Sequence, residues 1–147
     1  MTEPGPEPKV ERRRERRMSG MPLLVIPLLA YVAFAGAGAD FSASRFPIAL
    51  PSAGVWQLTL GDILLAVGLF LLFFEILKAT RTGGNSVVDH AFSMIVFVVA
   101  LILFLIWDRA ATSTFFLLML MAMIDVIAGF SVTINAARRD YGVGGPA

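Results

Sequence analysis

Between Leu60 and Ala79 the chain reads LGDILLAVGLFLLFFEILKA, an apolar run long enough to cross a bilayer as a helix. The run encloses a carboxylate, Glu75. A later run, Thr114–Ala136, encloses another, Asp125. A charge at bilayer depth costs on the order of 3 kcal/mol or more unless it is paired, neutralised or hydrated. These two stretches predict an all-α membrane protein and pose its functional question: what the two acids are for.

Composition agrees with that class. Of the 147 residues, 57% are hydrophobic and 16% charged, where soluble domains carry nearer a quarter charged. The net charge is +1, so no global field attracts nucleic acid, and none is expected as a partner. The chain has no cysteine, which excludes disulfides, thiolate metal sites and cysteine nucleophiles.

Residues 1–20 hold alternating acids and bases, three prolines among them (Pro4, Pro6, Pro8), and little that is apolar. Such a segment is expected to be a disordered cytoplasmic tail. Its dense feature is Glu11–Arg17, ERRRERR. Arg12, Arg13, Arg14, Arg16 and Arg17 are candidates for contact with anionic lipid, at about 1 kcal/mol per basic residue near a surface. They serve equally as a topogenic signal that keeps this end inside.

Four apolar runs follow within residues 21–137. The first, Met21–Ala39, has A-x-A sites at its end, as a secretory signal does, but at about 19 residues it outruns a signal core. An uncleaved first span is favoured, kinked at Pro27. Ala30, Ala33 and Ala37 recur at helical spacing and predict a face that another helix approaches closely. Asp40–Thr59 predicts a short extracytoplasmic β-hairpin or loop: Phe46–Leu50 and Val55–Thr59 flank Pro51-Ser-Ala-Gly54. One hairpin face is expected on the bundle or the lipid interface, with Trp56 in the aromatic belt.

In the second span Gly61, Gly68 and Glu75 share a face, Asp62 is a first-turn acid, and Lys78 stands within reach of Glu75. The short link Thr80–Asn85 predicts that the second and third helices are antiparallel neighbours. Ser86 and Asp89 carry a helix-start pattern, and His90, Ser93, Phe97, Ala100, Phe104 and Trp107 share one face of the third helix. Thr112-Ser-Thr offers hydroxyls to cap the fourth. On that helix Ala122, Asp125, Gly129 and Thr133 form a stripe. Residues 138–147 are expected to be a cytoplasmic tail.

With four spans, one side receives ten of the twelve Lys and Arg residues, and the other only Arg45 and Arg109. That bias places both termini in the cytoplasm. Four apolar runs joined mainly by short turns predict a four-transmembrane-helix bundle.

From Leu50 onward, LPSAGVWQLTLGD, FFEILKATRTG, VVDHAFSM and ATSTFFLLMLMAMIDVIAGF resemble an uncharacterised family of small four-span bacterial inner-membrane proteins. The resemblance covers roughly two-thirds of the chain. It implies a bacterial inner-membrane location and assigns no activity to any residue.

Helical rise places Glu75 roughly 7 Å and Asp125 roughly 16 Å from the cytoplasmic ends of their helices, with His90 and Ser93 roughly 4 to 9 Å in. Glu75, His90, Ser93 and Asp125 are therefore expected to line one cytoplasmic half, with Lys78 at its mouth and Thr133 and Asn135 within reach. Three readings fit. In the structural one, Glu75 pairs with Lys78 or His90, and Asp125 bonds hydroxyls or backbone on a neighbouring helix. In the second, the acids carry protons or cations. In the third, they belong to a binding groove for lipid or a partner helix. No phosphate loop, nucleophile elbow or HExxH motif is present, so catalysis is not expected. With one histidine, neither metal nor cofactor is expected. The sequence thus predicts a non-catalytic accessory or scaffold subunit in contact with lipid, forming a homo-oligomer or part of a larger complex. The alternative is a small proton- or cation-coupled transporter using Glu75 and Asp125.

Overall fold

The computed structural model describes residues 21–81 and 86–141. The fold is mostly helical: α1 (Val25–Gly36), α2 (Leu60–Arg81), α3 (Ser86–Ile106) and α4 (Ser113–Tyr141). Between α1 and α2 stands a two-stranded antiparallel sheet, β1 (Ser44–Ala49) and β2 (Val55–Thr59). A 3-10 turn, Asp108–Ala110, joins α3 to α4. Two segments, Leu60–Ala79 and Ser113–Val132, are long and apolar enough to cross a membrane.

The first helix is shorter than its apolar run. At 1.5 Å per residue α1 extends about 18 Å, against a hydrocarbon core of about 30 Å. Its start is set by an entry turn in which the Val25 and Ile26 N–H groups donate to Pro22 and Leu23 carbonyls. Pro27 falls in the first helical turn, where its missing N–H is no loss, so the expected kink has no cause. The end is a Schellman cap: Gly38 takes φ +81° and donates to Ala35 O, and Ala39 donates to Phe34 O. The buried face of α1 is Pro27, Leu28, Tyr31 and Ala35. The expected small-residue face is not used, because Ala33 and Ala37 point outward.

Successive helices run antiparallel, and α4 is central. α2 and α3 each pack along α4 rather than along each other, and α1 rests on α2 and α4. The expected α2–α3 pairing gives way because the small residues of α2 face α4. A Cβ on Gly61 would stand 2.6 Å from Thr114 Oγ1, and one on Gly68 would stand 2.8 Å from Leu118 Cδ2. Glycine at these positions is what lets the two helices approach. The core between the helices is built on Tyr31, Phe115, Leu118 and Leu24.

The long helices keep most of their apolar surface outward. Only 28% of the Leu60–Ala79 window and 39% of the Ser113–Val132 window are buried inside the protein. Leu69, Phe70 and Phe73 of α2, Leu105 of α3, and Ile127 of α4 are exposed. A soluble monomer rarely leaves so continuous an apolar surface bare.

The hairpin forms as expected, pairing Phe46 with Leu58 and Ile48 with Trp56. Of the two placements expected for its face, the bundle does not cover it: Phe46 and Trp56 are each at least half exposed. The strands are linked through Pro51–Ala53, with Ala53 N–H donating to Leu50 O and Leu50 N–H to Gly54 O. α4 continues to Tyr141, past Arg138 and Arg139, where the last helix was expected to stop. Residues 1–20, the link residues 82–85 and the last residues 142–147 lie outside the described residues, and with them the lipid-contact candidates Arg12, Arg13, Arg14, Arg16 and Arg17.

Candidate functional site

The end of the bundle where α2 finishes and α3 begins holds the polar residues singled out above. Glu75 is buried, and one of its oxygens, Oε2, accepts the Leu23 N–H at 2.7 Å. Leu23 lies in the entry turn of α1, so the carboxylate sits at the positive end of that helix dipole and takes one of its unpaired donors. The other oxygen, Oε1, accepts from Lys78 Nζ at 3.2 Å. The pairing of Glu75 with Lys78 follows from their i,i+3 spacing; its bond to α1 has no sequence signature.

Ser93, His90 and Asp125 are buried beside it. Ser93 on α3 hydrogen-bonds the Asp125 carboxylate on α4, which also interacts electrostatically with Glu75, His90 and Lys78. The His90 ring is seated against Gly129, at a spot that a Cβ would occupy, and lies 6.0 Å from the Phe130 ring. The stripe Ala122, Asp125, Gly129 therefore faces protein, as its composition predicts. All five candidates, Glu75, Lys78, His90, Ser93 and Asp125, come together from three helices. The side chains of Thr133 and Asn135 lie outside the described ones. Among the described residues, every buried side-chain nitrogen and oxygen has a hydrogen-bond partner.

The opposite end carries a second polar group that sequence reasoning missed. Tyr31, buried at the middle of α1, donates its hydroxyl to Arg109 O at 2.8 Å and meets Thr112 Oγ1 at 2.6 Å. Its ring stacks on Phe41 at 4.2 Å. Arg109 Nη1 donates to the Ala35 and Gly36 carbonyls at 2.8 Å each, so a cation closes the negative end of α1. Asp62 behaves as the expected first-turn acid: its Oδ2 accepts from Thr59 N–H and Oγ1, and Thr59 Oγ1 accepts from Asp62 N–H, a reciprocal capping box. Thr112 Oγ1 caps α4 by accepting the Phe115 N–H. Tyr31 was visible as the lone hydroxyl inside the first apolar run. Arg109 was visible as a cation on the cation-poor side.

Beside Arg109 opens a cavity of about 720 Å³, lined also by Asp40, Asp62, Thr112, Ser113 and Thr114. Between the two polar ends three helices are apolar, over residues 63–74 in α2, 94–106 in α3 and 115–124 in α4. The layer is roughly 15 Å thick at helical rise. Its centre is filled by Leu64, Leu72, Leu118, Met119 and Ala122. Within these three stretches no side chain is titratable.

Among the described residues, no group of three or more His, Asp and Glu side chains is arranged to hold a metal ion. No family model, curated protein or solved structure matches the chain.

Proposed function

We propose that the chain is a non-catalytic integral protein of the bacterial inner membrane, a four-helix bundle serving as an accessory or scaffold subunit through its outer helix faces. The observation that carries this reading is the use of Glu75. One oxygen closes the α1 N-terminus and the other pairs with Lys78, so the buried acid is spent on holding helices together. The exposed apolar faces of α2, α3 and α4 are then what remains for lipid and for partner helices. The charge bias of the sequence supports both termini in the cytoplasm, with the hairpin on the far side.

Extraction in mild detergent followed by native mass measurement tests the scaffold reading. A strictly monomeric species with no co-purifying partner would overturn it. Tag fusions at residues 1 and 147 should both report the cytoplasm, and a fusion in the hairpin turn should report the far side. The competing reading is a proton- or cation-coupled transporter using Glu75 and Asp125, which the clustering of Glu75, His90 and Asp125 favours and the apolar layer opposes. Reconstitution with a pH-sensitive dye separates the two. A dye response from the native chain that Asp125→Asn abolishes would establish the transporter.

A further inference from the structure

The cavity beside Arg109 has a second opening next to it along α1. The second is an apolar groove of about 160 Å³ between α1 and α3, lined by Leu28, Val32, Val96, Val99, Leu103 and Phe115. Ala35 lines the cavity and Val32 the groove, three residues apart on α1. Thr112 lines the cavity and Phe115 the groove, again three apart, at the start of α4. Residues at that spacing on a helix are neighbours on one face. The groove and the cavity are therefore neighbours along α1 and α4, an apolar slot beside a polar head.

The head is built for opposite charges held close together. Arg109 uses Nη1 on the α1 carbonyls, while its Nε and Nη2 make no hydrogen bond with the described residues. Asp62 uses Oδ2 on Thr59, while its Oδ1 accepts no hydrogen bond from the described residues. Asp40 adds a second carboxylate to the lining. A cation and a carboxylate lining one cavity, Arg109 and Asp62, suit a zwitterion. A guanidinium with unused donors takes a phosphate oxygen in a charge-assisted bond, and the α4 N-terminus at Ser113 and Thr114 adds a dipole of the right sign. The cavity stands where both candidate spans begin, the level of lipid headgroups if they cross the membrane.

From this adjacency and charge arrangement we propose that the two openings together seat one zwitterionic glycerophospholipid. Its phosphodiester lies against Arg109, its ammonium group faces Asp62, and one acyl chain occupies the α1–α3 groove. This inference rests on the membrane reading given above.

The test is native mass spectrometry of the full chain, freed of endogenous lipid in mild detergent. Phosphatidylethanolamine, phosphatidylglycerol and free phosphoethanolamine are titrated in turn. Phosphatidylethanolamine should bind saturably and about tenfold tighter than either of the others, equivalent to about 1.4 kcal/mol. Arg109→Gln should erase that preference. Because this change also removes a cap from α1, Val99→Trp on the half-exposed groove wall is the second variant. It should weaken the lipid and leave free phosphoethanolamine unaffected. Equal binding of all three probes, free phosphoethanolamine binding as tightly as the lipid, or lipid binding indifferent to Val99→Trp would each overturn the proposal. Flotation with vesicles separates the two levels: a chain that floats without lipid preference leaves the membrane reading intact and removes this one, and a chain that does not float removes both.

Discussion

Glu75 and Arg109 hold opposite ends of the same helix. The carboxylate accepts from Leu23 N–H at the start of α1, and the guanidinium donates to Ala35 and Gly36 at its end. Each charge has the sign that its end of the helix dipole favours. A short helix with little helix-forming strength of its own is thereby fixed from outside, by residues of α2 and of the α3–α4 connection.

Replacing Glu75 should separate charge from hydrogen bonding. Glu75→Leu removes the acceptor of the Leu23 N–H and one acceptor of Lys78, and should destabilise the protein by about 1–3 kcal/mol. Glu75→Gln keeps an acceptor of the same shape and should cost less than half as much. Thermal unfolding in detergent, followed by circular dichroism, measures both. Equal losses would mean that the charge alone matters.

Gly129→Ala should drive a methyl group into the His90 ring. Overpacking of this kind costs about 1–3 kcal/mol. The second substitution His90→Ala, which clears the space, should recover part of that loss, and a double-mutant cycle reads the coupling. Strict additivity would show that the two residues do not meet.

Tyr31→Phe keeps the ring and its stack on Phe41 but removes the hydroxyl bonded to Arg109 and Thr112. A loss of about 1–2 kcal/mol is expected. Faster hydrogen exchange should follow in the Asp108–Thr112 turn, with little change at the Glu75 end. Exchange that rises evenly along the bundle would contradict a local role.

Ala53 occupies the left-handed region at φ 62° in the hairpin turn. An L-residue there carries about 1 kcal/mol of strain that glycine lacks. Ala53→Gly should therefore stabilise the hairpin, to be read from amide exchange at Leu50 and Val55, although the added freedom of the unfolded chain offsets part of the gain.

The helices and the cluster were legible to different depths in the sequence. The runs around Glu75 and Asp125 announce long apolar helices, and the spacing Gly61, Gly68, Glu75 announces the face that meets α4. Ser93 and Asp125 meet because both sit on small or polar stripes, which periodicity exposes. What the sequence concealed are contacts between a side chain and a distant backbone. Nothing in Leu23 marks its N–H as the partner of Glu75, and nothing in Ala35 marks its carbonyl as the partner of Arg109. The length of α1 was concealed for a related reason: hydropathy continues through Ala39, but Gly38 supplies the conformation that ends the helix.

The clamp on α1 also orders events during synthesis. Its N-terminal bond reaches forward 52 residues to Glu75, and its C-terminal bonds reach 73 and 74 residues to Arg109. At about 5–20 residues per second, several seconds separate the emergence of α1 from that of the cation that closes it. α1 is thus closed at its C-terminal end only after Arg109 has been made. Until then that end of α1 has only its Schellman turn, Gly38 N–H on Ala35 O and Ala39 N–H on Phe34 O, and a chain truncated before Arg109 would keep no more than that.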